Sequence, residues 1–183
     1  MTYDDEGKRY GHMTTNLSEC INKVFKDCRN IPITALVRST YMRCAEYFVQ
    51  RGVHAQEDVI AGKVFVDNVM RILGKNQETA CSHMVRRFDT RKSKFKIEEA
   101  FNPVTQTGGK IWKVNLQERS CQSGKFTAFH LPCSHVIAAC GFVSMDYYQF
   151  VDRVYSTHSI LRAYSGSWEP IGNEDLVPPS TDE

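Results

Sequence analysis

The stretch RSCQSGKFTAFHLPCSHVIAAC, residues 119–140, constrains this chain more than any other. It sets Cys121 on a turn and brings Cys133 and His135 to the start of a helix-like run. Thiolate and imidazole are the side chains from which structural zinc sites are built, and such a site takes four ligands in a tetrahedron. Pro132 holds Leu131 extended, and a helix N-terminus favours an ionised Cys133 through its dipole and free N–H groups. His135, two residues on, can offer a neutral ring nitrogen to the same point. A C-x-H pair alone is weak evidence. Preceded by a turn cysteine, at strand–strand–helix spacing, it says more.

The surrounding pattern supplies that spacing. KFKIEEAF (94–101) and KIWKVNL (110–116) alternate apolar and polar residues, and NPVTQTGGK between them is made of turn formers, so the segment reads as a β-hairpin. KFTAFH (125–130) is expected as a third short strand, and the helix after Pro132 is expected to stop at Gly141. Upstream, Leu17, Cys20, Ile21, Val24, Phe25 and Cys28 recur at helical spacing. A second helix starts at Pro32 and is expected to end at Gly52. Amphipathic stretches follow over 57–74 and 77–90, and a last helix over 146–163. The end, WEPIGNEDLVPPSTDE, is expected to be extended or disordered. The fold class is therefore α+β: a helical amino-terminal half over 1–90, a strand–strand–helix module over 94–141, and a helix with a Pro-rich acidic tail over 142–183.

KVNLQERSCQSGKFTAFHLPCSHVIAAC resembles the SWIM-type zinc finger, which reads C-x-C, a variable gap, then C-x-H on a strand–strand–helix unit. It is most similar to the version in plant Mutator-like transposases and the related far-red-response transcription factors. The resemblance implies zinc as cofactor, Cys121, Cys133 and His135 as metal ligands, and a nuclear location. The departure is Ser123, which stands where the family has its second cysteine. A serine hydroxyl is too weakly acidic to ionise near neutral pH and is a poor zinc ligand beside a thiolate. Cys140 cannot replace it, being about 10 Å along the helix from Cys133. His130, looped back by Leu131-Pro132, or a water molecule are the remaining candidates for the fourth position.

Residues 3–41 look like the end of the catalytic domain of those transposases, in which an RNase H-like sheet presents three carboxylates to divalent metal. The last of these would be Glu19 here. Two-metal phosphoryl chemistry needs the carboxylates together, and no buried strand carries Asp4 or Asp5 to meet Glu19. Glu118, near the knuckle in sequence, makes no persuasive general base. The chain is therefore expected to be a carboxy-terminal remnant without catalytic residues, and no enzyme.

Composition bears on compartment and partners. With 42% hydrophobic and 24% charged residues the chain reads as globular, no run approaches the ~18 apolar residues of a membrane span, and an odd count of seven cysteines suits reduced thiols better than a disulfide framework. The net charge of +2 is no nucleic-acid signature, but Arg86, Arg87, Arg91, Lys92, Lys94 and Lys96 cluster in RRFDTRKSKFK against Asp89 alone. They are the candidate phosphate contacts, or else a solvated helix end and loop. The leading expectation is a zinc-binding module that contacts DNA or protein, with neither a membrane nor a small-molecule substrate. The alternative is a metal-free remnant that docks a transposase-related protein or has no selected activity.

Overall fold

Pro32 opens a long helix as expected, its carbonyl accepting the Leu36 N–H at 2.8 Å. The computed structural model describes residues 31–89, 93–101 and 103–170, with positions 10, 19, 22, 23, 26 and 172. The stripe expected over Leu17–Cys28, the acidic pair Asp4 and Asp5, and the tail from 173 lie outside the described residues. Helix α1 (Ile33–Ile60) runs straight through Gly52, where a stop was expected. That glycine serves close packing: a Cβ there would lie 3.1 Å from the Tyr164 carbonyl oxygen. The stop comes at Gly62, whose φ of +73° suits glycine. The Lys63 N–H returns to the Asp58 carbonyl and the Gly62 N–H to that of Val59, both at 3.0 Å, which is a Schellman closure. The helix expected over 57–74 is thereby broken, and α2 (Asp67–Ala80) starts afresh.

The stretch 77–90 is half helix and half strand. After α2 the chain turns into β1 (Met84–Asp89), followed by β2 (Lys94–Glu98), β3 (Ile111–Asn115) and β4 (Ser120–Cys121). They form an antiparallel meander in the order β1-β2-β3-β4. Side chains alternate across a strand, so the register Phe95–Val114–Cys121 puts those three residues in one row on the inner face. KFTAFH is no strand. With Gly124 in the left-handed region the chain coils into α3 (Lys125–Phe129), and the two-residue β4 takes the sheet edge instead. Helix α4 (Ser134–Phe142) packs on the inner face, and Gly141 lies inside its last turn. The buried set Phe95, Ile97, Val114, Val136, Ala139 and Cys140 is the heart of the core.

The helix expected over 146–163 is divided by its own caps. Asp146 accepts the Tyr148 N–H and Asp152 that of Val154, opening 3-10 turns at Tyr147–Phe150 and Arg153–Tyr155. Ser156 then caps α5 (Thr157–Ala163). A second cluster, Val69, Leu73, Leu131 and Val151, joins α2 to these turns. Helix α5 lies against α1, where Phe48 meets the rings of Tyr164 and Trp168 at 5.2 and 5.3 Å. The described residues are thus α+β, with five α-helices and a four-stranded antiparallel sheet. None of their helices is long and apolar enough to cross a membrane.

Candidate metal centre

Three local devices build the site. β4 ends on Cys121 and the chain turns back at once, the Gly124 N–H bonding the Cys121 carbonyl at 3.0 Å. Leu131 and Pro132 are buried, and they carry Cys133, itself extended, to the N-cap position of α4. His135 lies in the first turn of that helix. Cys121, Cys133 and His135 are all buried, and their ligand atoms lie within 4.8 Å of one another.

The spacing suits one metal ion. A tetrahedron with bonds of ~2.3 Å to sulfur and ~2.1 Å to nitrogen has edges of roughly 3.6–3.8 Å. His135 Nδ1 lies 3.7 Å from Cys121 Sγ and 3.8 Å from Cys133 Sγ. Beside this group lies Ser123, whose Oγ is 3.2 Å from Cys121 Sγ and 3.9 Å from Cys133 Sγ. Ser123 therefore lies against both sulfurs, beside the three candidate ligands. His130, the sequence candidate for the fourth position, is turned away: it ends α3 with a φ of +52° and its ring meets Tyr10 at 5.1 Å. Cys140 sits in the core on the last turn of α4, its thiol pushed up to about 12 by burial.

The electrostatics are those of a site that wants a cation. Hydrogen bonding from the Cys133 thiol, with further help from His135 and Ser123, holds Cys121 far below the usual thiol range. Cys133 moves up, because it donates to the Cys121 thiolate and is buried beside that charge. Sequence reasoning placed the ionised thiol at the helix N-terminus. Two adjacent buried thiols cannot both ionise without a cation, and in the metal-free arrangement the proton stays on Cys133. Burial opposes a charge on His135, but hydrogen bonds with Cys121 and Glu99 raise it overall.

Sequence reasoning missed the residues around His135. Glu99 Oε1 lies 2.9 Å from His135 Nε2 and accepts the Trp112 indole N–H at 2.7 Å. His83 stacks on His135 at 5.1 Å, tilted by 18°, and its Nε2 is 3.0 Å from Ser134 Oγ. A signal for each was present. Phe95, Ile97 and Glu99 continue one alternation, so the glutamate follows two inward residues. Cys81-Ser82-His83 repeats the tripeptide Cys133-Ser134-His135.

The candidate phosphate contacts fall elsewhere. Arg86 pairs with Lys96 across β1 and β2, and Lys96 with Lys113 across β2 and β3, so the three form a row on the open sheet face. Glu98 interrupts it, lying 2.6 Å from Lys96 Nζ and 3.7 Å from Arg86 Nε. Lys94 is exposed on the same face, beside a shallow cleft of about 690 Å³ that Glu118 also lines. The Arg87 side chain, Arg91 and Lys92 lie outside the described residues. The described residues of the segment at either end lie on strands β1 and β2 rather than on a helix end. Glu19 is exposed. Set against protein-family models, curated proteins and solved structures, the chain finds no match in any of the three.

Proposed function

We propose that the chain is a zinc-binding module of SWIM type, in which Cys121, Cys133 and His135 hold the ion and the Ser123 hydroxyl completes or guards the fourth corner. The observation that carries this reading is the convergence of two sulfurs and one imidazole nitrogen at tetrahedral spacing, in a buried position. Two thiolates and a neutral imidazole suit zinc better than a hard cation such as magnesium or calcium. Zinc there would be structural, tying the end of β4 to the start of α4, and the role is binding rather than catalysis. The resemblance to Mutator-like transposases supports a nuclear module derived from such an enzyme, with DNA as partner. The row Arg86, Lys96 and Lys113, with Lys94 beside it, supports phosphate contact. The alternative, docking of a transposase-related protein, is favoured by the exposed apolar residues of α1, among them Ile33 at 77% and Ile60 at 76% exposure.

Native mass spectrometry of the natural chain and of Ser123→Cys tests the metal reading. The natural chain is expected to carry one zinc, and Ser123→Cys to bind it tighter by on the order of 100-fold, as a third thiolate replaces a neutral oxygen. A natural chain that takes up no zinc while Ser123→Cys does would sink the reading for this protein. Steep weakening of duplex binding with added salt separates DNA from a protein partner.

A further inference from the structure

A carboxylate on the inner face of a sheet has to be explained. Glu99 follows β2 directly, its N–H bonded to the Lys110 carbonyl at 2.9 Å, and it continues the inward alternation of Phe95 and Ile97. Its side chain is 20% exposed and that of His135 only 5%. The environment around the imidazole is closed on several sides. His83 stacks on one face of the ring, Trp112 meets it at 5.4 Å, the two cysteine sulfurs face Nδ1, and Glu99 Oε1 faces Nε2.

An ionised carboxylate can only accept hydrogen bonds. For Glu99 to bond Nε2, that nitrogen must carry the hydrogen. A neutral imidazole has one N–H, so Nδ1 then presents its lone pair towards Cys121 and Cys133. Metal-bound histidines generally have their other nitrogen fixed in this manner by an acceptor that sets the tautomer and ring angle. The same Glu99 oxygen also accepts the Trp112 N–H, which holds the carboxylate against rotation. We propose that Glu99 is a positioning residue of the metal centre: by accepting Nε2–H it selects the His135 tautomer that offers Nδ1 to the ion, with Trp112 anchoring Glu99 in place. The inference rests on the metal-binding reading above and deepens it, because it makes the hairpin base part of the centre. A strand pair that contributes no ligand thereby controls one.

Zinc affinity of the full chain, measured by competition with a chromophoric chelator, tests this across the wild type, Glu99→Ala, Glu99→Gln and Trp112→Phe. Glu99→Ala is expected to weaken binding 10–100-fold. Glu99→Gln, whose amide oxygen can still accept both N–H groups, should stay within about 5-fold of the wild type, and Trp112→Phe should fall between the two. A general structural role for Glu99 is separated by repeating Glu99→Ala in a His135→Cys background. There the penalty should shrink to about 2-fold, since no imidazole is left to orient. In the zinc-loaded wild type, long-range proton–nitrogen NMR should show the hydrogen on Nε2 of His135 and the metal on Nδ1. Equal zinc affinity for the wild type and Glu99→Ala would overturn the inference. So would an undiminished penalty in the His135→Cys background, or metal on Nε2. If Glu99→Ala does not fold, a loss in Glu99→Gln as large as that of His135→Ala would also overturn it. A wild type that binds no zinc fails at the earlier step and removes the metal reading itself.

Discussion

At the scale of single residues, the centre is a problem of where protons reside. Without metal, Cys133 and His135 both have raised pKa values, so each keeps its proton further up the pH scale than an isolated side chain would. Zinc at this site, as proposed above, would need both groups deprotonated, and its binding would therefore release protons. Affinity is expected to fall on acidification, by up to about 10-fold per pH unit for each proton displaced, and chelator competition from pH 8 to 6 measures it. The metal-free protein should respond with the opposite sign. A raised His135 pKa stabilises the fold fully below its ordinary value of 6.5, and the contribution is lost as pH rises through the raised value. Denaturation with and without chelator should thus show metal-linked stability growing towards alkaline pH while the His135 contribution of the bare fold declines. An affinity independent of pH would mean that neither group is protonated at the start. Much of this was legible in the sequence. Cys121, Cys133 and His135 stand out by residue type and spacing, and Ser123 stands out as the departure. Which of Ser123 and His130 faces the sulfurs was not legible, because the path of residues 122–132 decides it.

At the scale of elements, glycines separate two kinds of local demand. Gly62 and Gly108 both have positive φ, at +73° and +91°. A Cβ on Gly62 meets nothing within 4 Å, whereas one on Gly108 would come within 2.1 Å of the Ala100 carbonyl oxygen. Gly62→Ala should therefore cost about 1 kcal/mol, the strain of the left-handed region alone. Gly108→Ala should cost about 3 kcal/mol or more, since the backbone itself must move. Urea denaturation compares the two, and equal losses would show that the β2–β3 loop relaxes freely. Glu99 sits at the base of that loop, so Gly108→Ala should also weaken zinc. Periodicity located the β2–β3 hairpin and the helix after Pro132. It failed at KFTAFH, where the apolar spacing also suits a helical turn and only Phe126 is buried. It failed again after Asp146, because three successive capping residues reset the chain faster than an apolar pattern can reveal.

At the scale of the whole molecule, two clusters meet at the knuckle. The sheet–α4 cluster contains Cys121 and Cys133, and the α2 cluster contains Leu131, two residues before Cys133. Leu73, 1% exposed, is central to the second. Leu73→Ala should destabilise by about 2–5 kcal/mol through the cavity it leaves. Because Leu131-Pro132-Cys133 joins the clusters, the loss should appear in one cooperative unfolding transition followed equally by far-ultraviolet and tryptophan signals. Two separated transitions would show that the clusters fold independently. The sequence by itself determined the α+β class, the hairpin, the start of α1 and the candidate trio Cys121, Cys133 and His135, since each of these follows from local spacing and residue chemistry. Only the tertiary structure decided that Ser123 faces the two sulfurs, that Gly52 serves packing, and that Glu99, Trp112 and His83 enclose His135. Those facts depend on which distant segments lie against one another. That is settled by the register of the sheet and the burial of α4 against it.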